Sequence, residues 1–425
     1  MEYNKKMIRS WAFYDWANSA FATTVMAGFF PLFFKAYWAG DAAAEESTFY
    51  LGLANSFASI IVAAMAPFLG AVADRGTAKK KFLMLFAFLG IIATGSLWMV
   101  AQGNWQLAIL FYVLGTVGFS GGNIFYDSLL PGVAPKEKID YVSSLGFAMG
   151  YIGGGILFLV NVAMYLMPET FGIADGPTAI RLSFISVAIW WAGFSIPIFM
   201  FVKEPEIHDK VGLGEAFKLG WKQLASTFNE IRHLKTVGMF LLAYWLYIDG
   251  VDTIIRMAVD YGATLGFASS ILITALLITQ FVAWPGTLMY AKFASKIGVK
   301  KAIMFSIMAY SLITILGYFM NQEWHFYALA IGIGLFQGGI QALSRSLYTR
   351  IIPADKAAEF FGFYNMLGKF AAVIGPVLMG TITLLTGNIR FGILSVLILF
   401  ILGYYFLTKV DIEEGERMAK EHLTS

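Results

Sequence analysis

The sequence predicts an all-α integral membrane protein with twelve transmembrane helices in two six-helix bundles. Three observations predict it. First, of 425 residues 58% are hydrophobic and 13% charged, about half the charged share of a soluble domain. Second, apolar runs recur along the whole chain, and about 20 apolar residues cross the hydrocarbon core as a helix. Third, 25 of the 30 Lys and Arg residues fall on alternate loops or at the termini, while the intervening loops DAAAEEST, AQGNWQ, MPETFGIADGPT and MNQEW hold none. That asymmetry expects both termini in the cytoplasm.

The elements follow in order. The start, MEYNKKMIRSWAFYDW, has a basic front like a signal peptide. Its apolar part runs on to about Tyr37, is interrupted by Asp15 and meets no small-residue cleavage site, so it reads as a retained first span. The expected spans are 10–37, 48–72, 82–101, 106–130, 141–166, 179–202, 236–259, 267–291, 302–320, 326–347, 359–385 and 389–408. Helices are required because hydrocarbon offers the backbone no hydrogen-bond partner. The longest loop divides the chain into a first bundle (1–202), a linker (203–235) and a second bundle (236–425). In the linker Phe217, Trp221, Leu224, Phe228 and Ile231 form one apolar stripe among basic residues, the pattern of a helix lying in the membrane interface or of a solvated linker helix.

Several chemistries are excluded. There is no Cys, and the four His residues (His208, His233, His325, His422) all lie in hydrophilic segments. No GxxxxGK[ST] or HExxH occurs, so direct ATP hydrolysis and zincin chemistry have no signature. No cofactor and no enzymatic activity is expected. A net charge of +3 with dispersed basic residues gives no nucleic-acid face.

The halves repeat. GAVADRGTAKK answers AKFASKIGVKK, GGNIFYDSLLP answers GGIQALSRSLYTRIIP, SLGF answers FFGF, and YDWAN answers IDGVD. A parallel repeat of six spans implies two bundles related by an axis along the membrane normal.

Carboxylates and guanidinium groups inside the spans carry the functional signal. Asp249, Asp252 and Arg256 stand at i, i+3 and i+7 of the seventh span, on one helical face. Each unpaired charge at mid-bilayer costs on the order of 3 kcal/mol. Such a face either lines a watery pathway or forms an internal ion pair that fixes packing. Lys369 lies roughly ten residues, or about 15 Å, into the eleventh span and is a candidate partner for Asp249. Arg256 has the planar fork that grips a carboxylate or phosphate. Asp15 and Asn18 occupy the equivalent places in the first span. A carboxylate taken out of water holds its proton more readily, which would permit proton coupling through Asp15 or Asp249. Gln280 and Asn365 are further polar candidates for the same cavity, or simply bond between helices. Most of the dense aromatic residues are expected to face lipid or core.

Two features carry a family resemblance. GAVADRGTAKKK (Gly70, Asp74, Arg75, then Lys79, Lys80 and Lys81) resembles the signature between helices 2 and 3 of the major facilitator superfamily; Gly76 comes one position early and Ala78 stands in a basic place. WAFYDWANSAFATTV, FYDSLLP, VSSLGFAMGYIGG, DGVDTII and QALSRSLYTRIIP…EFFGFYNMLGKFAAVIGP together resemble its vacuole-effluxer-like branch, whose bacterial members have been called the unknown major facilitator family. The resemblance implies the major facilitator fold and a transport role, with amino-acid efflux associated with fungal vacuolar members. It also implies a gate role for Gly70, Asp74 and Arg75, with Arg345 and Arg350 as its opposite half or as plain basic anchors.

The expectation is therefore a monomeric secondary transporter with partners in the bilayer, protons and a small polar metabolite, an amino acid first. Its place is a prokaryotic inner membrane in preference to a vacuolar one. A carrier of lipid or amphipathic compounds, marked by a largely apolar cavity, is one alternative; a membrane sensor that binds without flux is another.

Overall fold

Hydropathy fixes where the chain crosses lipid; the helices themselves run further. The computed structural model describes residues 4–39, 44–76, 78–204, 215 and 234–422. The spanning helices are α1 (Lys5–Trp38), α2 (Ala44–Gly76), α3 (Lys79–Ser96), α4 (Trp105–Ser128), α5 (Ile139–Leu166) and α6 (Gly176–Phe201). In the second half they are α7 (Lys235–Thr264), α8 (Ser269–Ile297), α9 (Val299–Tyr318), α10 (Glu323–Ile351), α11 (Ala357–Thr386) and α12 (Ile389–Thr408). A short α13 (Ile412–His422) follows. Eleven of the twelve meet both length and hydropathy for a span among the described residues, and α11 is a continuous helix of 30 residues. The expected 217–231 linker helix falls outside the described residues.

Helices α7, α8 and α10 outrun their expected spans by about one turn each. Polar residues such as Lys292, Lys296 and Arg350 end the apolar run without ending the helix, so the helix emerges from the hydrocarbon still hydrogen-bonded. Within α1, residues 21–29 and 34–38 adopt wider turns; the Phe30 N–H reaches the Val25 carbonyl and the Ala39 N–H the Phe34 carbonyl at 2.8 Å, each five residues back. At the start of α6, Asp175 accepts the Thr178 N–H at 2.7 Å; the Thr178 side chain first, and that N–H second, hold its carboxyl below the usual carboxylate range.

Burial is inverted relative to a soluble protein. Leu384, Met289 and Ile189 are 86%, 68% and 67% exposed, a cost in water and none in lipid. The buried apolar side chains form two cores, one from Met7 to Val202 and one from Leu234 to Val410. This is the two-bundle fold. The bundles meet where α2 packs on α11 and where α5 packs on α8 and α10. With an even number of spans both termini lie on one face, called here the terminal face.

Two glycines set the tightest part of that seam. A Cβ on Gly70 would lie 2.3 Å from the Ala358 carbonyl oxygen, and one on Gly362 would lie 2.6 Å from that of Ala66. Backbone therefore packs on backbone between α2 and α11, as small residues permit in lipid. Ala358 of α11 belongs to the first core as a result.

Candidate functional site

Among the described residues, three polar joints close the seam at the terminal face. In the first, the Asp74 carboxylate at the end of α2 accepts the N–H groups of Ala358 and Glu359 at 3.2 and 2.8 Å. It thus caps the start of α11 from the other bundle, where the helix dipole favours an anion. Lys79 holds the same carboxylate at 2.8 Å. The side chain of Arg75 lies outside the described residues. In the second joint, Arg350 of α10 donates to Asp140 of α5 at 2.7 Å and faces Glu416 of α13 at 3.8 Å.

The third joint is the deepest. Arg345 of α10 is buried and its guanidinium is shared across the seam. Nη1 donates to Asp127 Oδ1 at 2.8 Å, Nε to Ser143 Oγ at 2.9 Å and Nη2 to the Ser143 carbonyl at 2.8 Å. Nη2 also lies 3.6 Å from Asp15 Oδ2, which accepts the Tyr126 hydroxyl at 2.7 Å. The guanidinium rests against the rings of Phe147, Trp11 and Tyr126 at 4.2, 4.9 and 5.5 Å. Such a desolvated charge is tolerable only because its donors are satisfied and two carboxylates face it.

Above this joint sits a polar cavity of ≈ 190 Å³ between the bundles. Asp15, Asn123, Tyr126 and Asp127 line it from the first half; Asp252, Arg256, Gln341, Arg345, Tyr364 and Asn365 line it from the second. Tyr244 and Tyr364 stack in its wall at 4.1 Å. Tyr151 of α5 donates to Gln341 of α10 at 2.7 Å, so the bundles also meet at its edge. A second chamber of ≈ 120 Å³, largely apolar, lies among α7, α8, α9, α10 and α12, with Ala27 of α1 at its edge.

The candidate residues divide among these places. Asp15, Asp252, Arg256 and Asn365 line the polar cavity. Asn18 stands behind it, donating to the lining residue Asn123 at 2.7 Å. Gln280 lines the apolar chamber instead. Asp249 departs most from the one-face expectation. It is 1% exposed and is turned towards α11, where Oδ1 accepts the Gly375 N–H at 2.9 Å and the Thr253 hydroxyl at 3.3 Å. The bond from Gly375, the residue before Pro376 inside α11, ties the two helices together at this point. A Cβ on Gly375 would fall 1.8 Å from Thr253 Oγ1, so this approach needs glycine. Of the Lys369 side chain nothing is described, and its pairing with Asp249 stays outside the described residues.

Asp127, Tyr126 and Asp140 were not among the sequence candidates, yet they complete two of the three joints. One signal for Asp127 was present. In the paired segments of α4 and α10, Asp127-Ser128-Leu129 matches Arg345-Ser346-Leu347, one residue out of register with the shared Gly-Gly. Near-equivalent positions of two repeats face each other where they lie close to the axis that relates them, and these two carry opposite charges.

Twelve spanning helices in two bundles around a shared polar cavity define a transporter of the major facilitator kind. Within that class, the chain belongs to the family described as "Vacuole effluxer Atg22 like", whose model matches residues 37–420. It is 38% identical over 425 residues, 98% of this chain and 97% of the other, to an uncharacterized MFS-type transporter, YxiO, of Bacillus subtilis. It is 26% identical to autophagy-related protein 22 of Saccharomyces cerevisiae, over 81% of this chain and 74% of the yeast protein. The fold is shared with the human organic anion transporter MFSD10 (TM-score 0.76, 12% identity, 95% of this chain and 99% of that one). It is shared too with the proton:xylose symporter XylE (TM-score 0.71, 14% identity, 97% of each chain).

Proposed function

We propose that this transporter carries a small zwitterion, an amino acid first, by alternating access, driven by protons and directed towards export. The observation that carries the reading is the polar cavity, which brings carboxylates of the first half against Arg256, Asp252 and Arg345 of the second. A zwitterion presents an anion and a cation a few bonds apart. Arg256 and Asp252, one helical turn apart on α7, offer both complements. Joints at the terminal face that depend on single ion pairs and one helix cap are what rocking bundles must break. The distribution of Lys and Arg supports a cytoplasmic terminal face, the bacterial relative supports an inner-membrane location, and export rests on the family description.

Proton coupling has its best support at Asp249. Among the described residues its Oδ2 is buried without a hydrogen-bond partner, and the carboxylate sits at the joint between α7 and α11. A proton gained or lost there acts directly on that joint. Asp249→Asn is expected to abolish uptake driven by a pH gradient in proteoliposomes while sparing substrate exchange. Driven uptake that persists unchanged removes Asp249 from coupling. The apolar chamber favours a second reading, amphipathic cargo, and flux against binding in the same vesicles separates either reading from a sensor.

A further inference from the structure

We propose that the apolar chamber, walled by the second bundle and Ala27 of the first, is the subsite for the aliphatic end of the substrate, so that cargo is selected by an apolar tail as well as by its charged head. The proposal rests on the polar cavity being the substrate site. The two spaces follow one another along α10: Gln341 lines the cavity and Gln337, one turn away on the same face, lines the chamber; four residues are about 6 Å of helix. Helix α7 stands between them, with Asp252 and Arg256 on the cavity side and Ile254 and Ala258 on the chamber side. A molecule held beside Gln341 therefore has the chamber one helical turn away.

The chamber's polar groups are mostly spent. Tyr261 donates its hydroxyl to the Gly317 carbonyl at 2.8 Å. Thr279 and Thr314 donate theirs to carbonyls of their own helices, Ala275 at 2.9 Å and Tyr310 at 2.8 Å. What remains besides apolar wall among the described residues is the pair of amides of Gln280 and Gln337, and none of the described lining side chains is charged. A cavity with such walls holds water poorly and takes apolar matter; one of about 150 Å³ accepts benzene. At ≈ 120 Å³ the chamber fits a short aliphatic chain of roughly benzene's size or a little less.

The test titrates the purified full-length chain in detergent with alanine, 2-aminobutyrate, norvaline, norleucine and 2-aminooctanoate, reading apparent affinity from the thermal unfolding midpoint. Affinity is expected to rise about four-fold per methylene up to norleucine, as burying each CH₂ implies, and then to level off. Ala330 and Ala275 stand in the chamber wall, 6% and 4% exposed. Ala330→Phe is expected to flatten the series and leave alanine binding unchanged; Ala275→Leu makes the same test should the first variant fail to fold. A flat series in the unaltered chain, with alanine still binding, overturns the subsite and leaves the cavity reading standing. Slopes unchanged in both variants overturn it too. If no member binds, the cavity reading falls with it.

Discussion

Arg345→Gln is expected to abolish transport and to lower the thermal unfolding midpoint in detergent by a large margin. The guanidinium serves Asp127, Asp15 and Ser143 at once. Removing it leaves two carboxylates buried at the seam without their cation. Breaking a buried pair from one side costs roughly 3–5 kcal/mol, because the remaining charge is stranded. Arg345→Lys should fare little better, since an ammonium cannot reproduce a fork that reaches three partners. The double variant Arg345→Gln with Asp127→Asn separates structure from mechanism. It is expected to recover part of the lost stability, as one stranded charge is gone, and none of the transport. A double variant no more stable than Arg345→Gln alone would mean that the Asp127 pair contributes nothing to the closed seam.

The second large effect is expected at Gly70. In Gly70→Val the new Cβ would meet the Ala358 carbonyl oxygen at 2.3 Å, backbone that cannot swing aside as a side chain would. Relief comes by parting α2 from α11, which also withdraws Asp74 from the N–H groups of Ala358 and Glu359. Overpacking of this kind costs about 1–3 kcal/mol, enough to shift a two-state equilibrium roughly five-fold or more. The variant should fold and populate the state open at the terminal face, read as faster reaction of a cysteine introduced at Thr349 with an impermeant thiol reagent applied from that face. Equal reactivity in both proteins would show that this contact does not hold the seam.

The fold was legible because lipid imposes it. Twelve apolar runs, basic residues on alternate loops and a repeat offset of half the chain each follow from the bilayer as solvent. The site was legible only in part, and the reason differs by residue. Asp15, Asp252, Arg256 and Asn365 could be chosen because charge or amide inside a span is costly wherever it points. Where each points is another matter. Asp249 lies three residues from Asp252, yet its carboxylate meets the N–H of Gly375, on a helix more than a hundred residues away. Gln280 faces the apolar chamber because of the packing of α8 against α10, which periodicity does not contain. Asp127 was overlooked because it sits at the end of an apolar run, where a lone carboxylate reads as interfacial. Only the partner position in the other half, Arg345, marks it. Asp140 and Glu416 are ordinary in sequence and acquire a role because Arg350 lies between them.

Everything functional depends on the space between the bundles being reachable from one side and then the other. The chain contains no Cys, so one introduced thiol reports without interference. Asn365→Cys places it in the cavity wall. The measurement is its reaction, in right-side-out and inside-out vesicles, with an impermeant maleimide. With the terminal-face joints intact, labelling is expected from the opposite face only; adding Gly70→Val should bring labelling from the terminal face as well. A thiol there that reacts from neither side under both conditions, or that reacts from the terminal face while Asp74 and Arg345 hold the seam, would contradict an alternately exposed central site.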